Sequence, residues 1–221
     1  MTEPVLLAVA HGGRQAVTQR SVHSLARQVR RAAPAIDTRV AFVQHGQPSL
    51  PEALAEAGPH VVVVPLLLGA GYHLSVDIGE AAAACGARVA AALGPDPDLT
   101  DALLRRLADT GVPGGSPVVL AAAGSRDPRA AEQARRQAAL LASRWTAPVL
   151  TGYLSACRPS VREAVAALRK QTLRPVAVAT YLLSPGFFHD QLRLSGAAWV
   201  SAPLGDHPSV ARLVLERFRV A

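Results

Sequence analysis

Two histidines stand where a sequence can place chemistry. His11 sits in AHGGR and His73 in GAGYH, each following an aliphatic run and flanked by glycines. An imidazole is a borderline metal donor and a proton acceptor near neutral pH, and glycines beside it let a ligand approach the backbone closely. The two histidines therefore read as metal ligands or bases, with a polar turn residue as the alternative for His11. Gln44 and His45 follow another apolar run. His45 is either a third donor or part of a solvated loop. Arg14, three residues beyond His11, carries a guanidinium fork that matches carboxylates, and Arg126 stands at the equivalent place later in the chain; pairing with nearby acids is the alternative for both.

Elements must position these residues, and the hydrophobic pattern supplies them. Pro4 to Ala10 reads as a buried strand and Thr18 to Ala33 as a helix, with Val22, Leu25, Ala26 and Val29 at helical spacing. A second strand covers Thr38 to Val43, and Ser49 with Glu52 forms a capping box that opens a second helix. A third strand, Val61 to Leu67, is β-branched enough to lie inside a parallel sheet. Gly69 and Gly71 then free the backbone ahead of Tyr72 and His73. A helix from about Val76 to Ala84, a strand from Ala87 to Leu93 and a helix from Asp98 to Ala108 complete a βαβαβαβα plan.

The plan then repeats. AHGGR (Ala10 to Arg14) answers to AAGSR (Ala122 to Arg126), and FVQHGQPSLPEAL (Phe42 to Leu54) to YLSACRPSVREAV (Tyr153 to Val165), where Ser160 and Glu163 rebuild the capping box. PLLLGAGYH (Pro65 to His73) answers to TYLLSPGFFH (Thr180 to His189), and LGPDPDLTDALLRRL (Leu93 to Leu107) to LGDHPSVARLVLERF (Leu204 to Phe218). Four blocks in the same order mark a duplicated α/β unit. We expect a first unit at 1–109, a Gly/Pro-rich linker at 110–116 and a second unit at 117–221. Each should be a flavodoxin-like, four-stranded parallel sheet with helices on both faces and an active cleft between the two units.

In a 2-1-3-4 strand order, strands one and three are neighbours at the topological switch point, ~4.8 Å apart. His11 leaves the first and His73 the third, so two imidazoles could meet over one small ion. The second unit keeps His189 but carries Ala123 in place of His11. It is expected to hold no complete site, with His189 facing the cleft. His23, His60 and His207 read as structural or solvated.

Composition narrows the function further. The chain has 221 residues, half of them apolar and 4% aromatic, and no apolar run approaches the ~20 residues of a membrane span. The N-terminus shows no signal-peptide pattern, and Cys85 and Cys157 belong to no ligand-spaced cluster, so reduced, buried thiols in a cytoplasmic protein are expected. The net charge is +7, almost all of it from Arg. Scattered along helices, with few aromatics to stack bases, these cations argue against nucleic acid and leave a solvated surface or a polycarboxylate ligand. GxxxxGK[ST], GxSxG, CxxC and HExxH are all missing, and no dinucleotide fingerprint is present, so neither a nucleotide nor an organic cofactor is indicated.

AHGGR, the FxQxxxPS block, PLLLGAGYHLSVDI and the LGPDP turn together resemble the sirohydrochlorin chelatases of the class II chelatase family, in the fused two-unit form and over essentially the whole chain. The resemblance implies insertion of a divalent metal (Fe2+, Co2+ or Ni2+) into sirohydrochlorin without ATP, for sirohaem or cobalamin biosynthesis. A metal or tetrapyrrole carrier without turnover is the alternative. His11 and His73 match the family's metal-site and catalytic histidines. Gly13 replaces the usual Ser or Thr, and Gln44 stands where many members have an acid that assists the metal. The implied substrate contacts are Gly12, Arg14, Gln44, His45, Gly71, Tyr72 and His189. The implied partner is the anionic tetrapyrrole, with no nucleic acid and no membrane, and fusion of two units makes a monomer sufficient.

Overall fold

The computed structural model describes residues 4–69 and 71–221, the side chains of 72–75 excepted. The elements run β1 (Val5–Ala10), α1 (Ala16–Ala32), β2 (Thr38–Phe42), α2 (Leu50–Ala57), β3 (Val61–Pro65), α3 (Tyr72–Ala84), β4 (Arg88–Val89) and α4 (Pro97–Ala108). The second series is β5 (Val118–Ala122), α5 (Pro128–Ala142), β6 (Val149–Tyr153), α6 (Val161–Thr172), β7 (Ala177–Tyr181), α7 (Phe187–Leu192), β8 (Trp199–Val200) and α8 (Pro208–Val220). Strand and helix alternate throughout, as the hydrophobic periods require.

Two parallel sheets form, in the orders β2-β1-β3-β4 and β6-β5-β7-β8. The expected 2-1-3-4 order therefore holds in both. Val9 pairs with Pro65 and Ala10 with Phe42, which puts β1 between its two neighbours; Ala122 likewise pairs with Tyr153 and Tyr181. Central strands covered on both faces are continuously apolar. All five residues of β3, of β5 and of β7 are buried. One core gathers Leu7, Val9, Leu54, Val63 and Ile78, and its counterpart gathers Val119, Val165, Leu168, Val178 and Leu192.

Both expected capping boxes are present. Glu52 Oε2 accepts from the Ser49 N–H at 2.8 Å, and Glu163 Oε2 from the Ser160 N–H at 2.7 Å. These bonds, the Ser49 hydroxyl first in one and the Ser160 backbone N–H first in the other, hold both carboxyls below the usual glutamate range.

Three expectations need correction. The fourth strand is Arg88–Val89 and not Ala87 to Leu93. Beyond it the chain stays beside β3 through isolated bonds, Ala90 N–H to the Val63 carbonyl at 2.8 Å and Leu93 N–H to the Leu67 carbonyl at 2.8 Å. The third helix begins at Tyr72, four residues before the expected Val76, because the backbone turns helical directly after Gly71. The free cysteines are not buried: Cys85 is exposed at the C-cap of α3 and Cys157 is half-buried in the turn after β6.

The compact units also divide the chain differently from the repeat. One comprises Met1–Leu93 with Gly205–Ala221, the other Gly94–Leu204. The fourth helix of each repeat thus packs with the other repeat's sheet: α8 lies on α1 and β3, and α4 on α5 and β7. On α4, Leu99, Leu103 and Leu107 make a stripe at every fourth residue and are wholly buried. Gln137 of α5, also wholly buried, accepts from the Asp96 N–H at 2.8 Å and donates to the Asp96 carbonyl at 3.1 Å and the Thr100 hydroxyl at 2.9 Å. Arg106 donates to the Leu204 carbonyl at 3.2 Å. In the first unit the equivalent Arg217 donates to the carbonyls of Ala92, at 3.1 Å, and Leu93, at 3.3 Å, while the Ser24 hydroxyl donates to Asp206. Among the described residues no helix is long and apolar enough to cross a membrane.

Candidate functional site

His11 is the first residue past β1 and is exposed. Its place is set by backbone bonds that continue the β1–β2 ladder beyond both strands. Val43 N–H donates to the Ala10 carbonyl at 3.0 Å, and Gln44 N–H to the His11 carbonyl at 2.8 Å. The two exits are held so closely at Gly12 that a Cβ there would lie 1.6 Å from the Gln44 carbonyl oxygen, and Gly12 adopts φ +92°. Only glycine fits both conditions.

Gln44 and His45 continue this turn, both exposed, with His45 itself in the left-handed region at φ +46°. From α1, Gln19 donates to the His45 carbonyl at 2.9 Å and reaches the Gly13 carbonyl at 3.5 Å, tying the turns after β1 and β2 together. Gln19 was not among the expected site residues. A polar residue on a helix flank carries no mark in the sequence that it will reach a loop's carbonyls. Arg14 is exposed, and among the described residues no carboxylate pairs with it.

The exit of β3 lies beside that of β1. Leu66 N–H donates to the Val9 carbonyl at 2.7 Å, and the chain then turns through Gly71, the N-cap of α3 at φ −75°. Tyr72 and His73 are the first two residues of α3, and their side chains lie outside the described residues. The backbone thus brings the exits bearing His11, Gln44 and His45 to the edge from which α3 starts. Among the described residues no group of three or more His, Cys, Asp or Glu side chains is placed to hold a metal ion.

The second unit repeats the backbone and not the chemistry. Gly124, at φ +86°, closes on Ser155, where a Cβ would lie 1.9 Å from the carbonyl oxygen. Ala123 occupies the position of His11, and its carbonyl accepts from the Ser155 hydroxyl at 2.9 Å. The Cys157 thiol donates to the Ser125 carbonyl at 3.0 Å. His189, half-buried on α7, sets Nε2 at 3.4 Å from the Ser201 carbonyl, so that nitrogen can serve only as a donor there. Burial holds the Tyr181 phenol well above its usual range, which keeps it neutral at the end of β7. Of the histidines read as structural, His207 caps α8 by accepting from the Ser209 N–H at 3.2 Å, and His23 sets its ring edge-on to Phe42 at 5.8 Å.

Two tandem units, each a four-stranded parallel sheet in the 2-1-3-4 order with helices, make this an α/β fold of the chelatase type. The chain belongs to the CbiX family, whose model matches residues 5–110 and again 117–221. Over 235 residues it is 26% identical to the sirohydrochlorin ferrochelatase of Bacillus subtilis, covering 97% of this chain and 90% of the relative. The solved structure of SirB from Bacillus subtilis with Fe3+ superposes with a TM-score of 0.84 at 25% identity, covering 97% of this chain and 94% of that one. CbiX, described as the terminal enzyme for siroheme biosynthesis in denitrifying bacteria, gives 0.74 at 26% identity, with 98% and 99% covered.

Proposed function

We propose that this protein is a sirohydrochlorin chelatase, a lyase that inserts a divalent metal ion into the tetrapyrrole without ATP. The observation that carries the reading is the position of His11: exposed, at the exit of β1, beside the strand whose following helix opens with Tyr72 and His73. The names of two relatives, the sirohydrochlorin ferrochelatase of Bacillus subtilis and CbiX of siroheme biosynthesis, point the same way.

In this mechanism His11 and His73 hold the incoming metal, which is a substrate and leaves in the product. Neutral imidazoles suit iron, cobalt and nickel, and they release a metal more readily than thiolates. Insertion displaces two protons from the pyrrole nitrogens, and the same imidazoles, freed as the metal departs, accept them. Ligation needs the neutral ring, so acid suppresses the reaction. Arg14, with no carboxylate partner among the described residues, is available to the substrate's acidic arms. Gly12, Gln44, His45, Gly71 and Tyr72 form the rest of the substrate surface in this reading. Gln44 offers a neutral amide, which binds a cation more weakly than an acid would, so the imidazoles supply the ligation. Fe2+ or Co2+ is the metal, serving sirohaem or cobalamin synthesis.

The test is an anaerobic insertion assay with sirohydrochlorin and Fe2+, Co2+ or Ni2+, followed by the change in the pigment's absorption. The wild type should turn over many times per molecule, and His11→Ala and His73→Ala should each lose insertion while remaining folded. Full activity in either variant would sink the mechanism. A single stoichiometric event would favour the carrier reading.

A further inference from the structure

The two units brace their first two turns in different ways, and the difference follows the histidine. In each, the turn after the second strand carries one non-glycine residue in the left-handed region, His45 at φ +46° and Ala156 at φ +56°. Such a backbone persists only where its surroundings hold it. In the second unit the turns hold one another. The Ser155 hydroxyl donates to the Ala123 carbonyl at 2.9 Å, and the Cys157 thiol to the Ser125 carbonyl at 3.0 Å. The helix behind them, α5, offers only Ala130 and Ala131 near its start.

In the first unit these side chains have moved from the turns to the helix. Gly13 stands where the second unit has Ser125, and Gly46 where it has Cys157, so neither position can reach across. The same alignment puts Thr18 and Gln19 of α1 at the places of Ala130 and Ala131. A Cβ on Gly13 would lie 3.0 Å from Thr18 Cγ2, so the threonine fills the space a turn side chain would take. Gln19, half-buried, donates to the carbonyl of the left-handed His45 at 2.9 Å and reaches the Gly13 carbonyl at 3.5 Å. One amide from the helix thus replaces two side chains of the turns. Among the described residues, the side chains of His11, Gln44 and His45 make no hydrogen bond.

We propose that Gln19 is a positioning residue of the metal site, clamping the His45 turn to the Gly13 turn so that His11 is presented in one fixed orientation. A donor works only if its support holds it to within about 0.5 Å. Side chains spent on bracing the turns would be lost to the metal and the pigment, so the first unit braces them from the helix instead. The second unit, with Ala123 for His11, has no donor there to spare and braces its turns with their own residues. This inference rests on the chelatase reading and adds to it a residue that acts through His11 without ligating the metal.

The experiment uses the full chain, with Co2+ binding followed by the ion's visible absorption and insertion into sirohydrochlorin by steady-state kinetics. Gln19→Met keeps the length and helix propensity of the side chain and removes the donor. It should raise the Kd for Co2+ and lower kcat by roughly three- to tenfold each, with the KM for sirohydrochlorin within about twofold of wild type. Gln19→Glu, of the same shape, turns an acceptor toward two carbonyls and should lose at least as much. Gln19→Lys restores a donor of similar reach and should recover most of both, which a defect of packing would not allow. Gln28→Met is the control: it lies on the same helix, its side chain makes no hydrogen bond among the described residues, and neither quantity should change. Wild-type Kd and kcat in Gln19→Met would overturn the clamp and leave the chelatase reading standing. A Co2+ affinity that depends on Gln19, in a protein that does not metallate sirohydrochlorin, would support the clamp and overturn the chelatase reading. A wild-type protein that binds no Co2+ would overturn both.

Discussion

Replacing Gly12 by alanine tests whether the turn bearing His11 is held as closely as the structure describes. The added Cβ would sit 1.6 Å from the Gln44 carbonyl oxygen, far inside contact distance and against backbone that cannot rotate away. Forcing an L-residue to φ +92° costs about 1–2 kcal/mol. Relieving the overlap means parting the two turns, which breaks the 2.8 Å bond from Gln44 N–H to the His11 carbonyl, a further loss of about 0.5–1.5 kcal/mol. The sum is a destabilisation of about 1.5–3.5 kcal/mol, or roughly 3–14 °C in Tm for a chain of this size. Thermal unfolding followed by circular dichroism at 222 nm measures it. Gly79→Ala is the matched control, since Gly79 lies inside α3 and, its chain neighbours and its own helix backbone aside, no atom of the described residues comes within 4 Å of the added Cβ. It should raise stability by about 0.5–1 kcal/mol. Gly124→Ala should destabilise as Gly12→Ala does, but Gly12→Ala alone should also cost metal insertion, because it displaces His11. A Gly12→Ala protein as stable and as active as wild type would refute the reasoning.

Other outcomes are open to direct measurement. Gln137→Leu removes one acceptor and two donated bonds from a wholly buried position, and should lower stability by about 1–3 kcal/mol per orphaned group, read as a lower urea midpoint. Glu52 and Glu163 have carboxyls depressed below the ordinary value of 4.5, so their stabilisation is present above that pH and lost as pH falls through the lower folded value. The Glu52→Gln, Glu163→Gln double variant should therefore be less stable than wild type at pH 7, and the difference should shrink as the pH is lowered progressively below 4.5, by denaturant titration at each pH. His189→Ala should keep most metal insertion, in contrast to His11→Ala, when both are assayed with cobalt or ferrous ion.

Much of this arrangement is legible in the residues themselves. β-branched runs such as Val61 to Val64 can only be buried strands, Ser49 with Glu52 and Ser160 with Glu163 announce helix starts, and the alternation of elements fixes a parallel sheet with its 2-1-3-4 order. From that order the shared edge of His11 and the helix bearing His73 follows. What stays hidden depends on packing at a distance. A leucine stripe such as Leu99, Leu103 and Leu107 says that α4 is buried without saying against which sheet, so the repeat is visible and the exchange of fourth helices is not. Ala87 to Leu93 is apolar enough for a long strand, yet an edge position gives it only a two-residue ladder. Gln19 reaches the carbonyls of Gly13 and His45 from a helix flank, for which hydrophobic period offers no signal.

The interleaving of helices sets an order of completion. The sheet that carries His11 is finished by α8, whose Val210, Leu213 and Val214 are wholly buried and whose Arg217 closes on Ala92 and Leu93. A ribosome makes those residues after the entire second unit. The first unit must therefore wait, with part of its apolar surface uncovered, until the last helix emerges. A nascent chain thus holds an unfinished histidine edge throughout synthesis and acquires its finished form only when both halves are present to lend each other a helix.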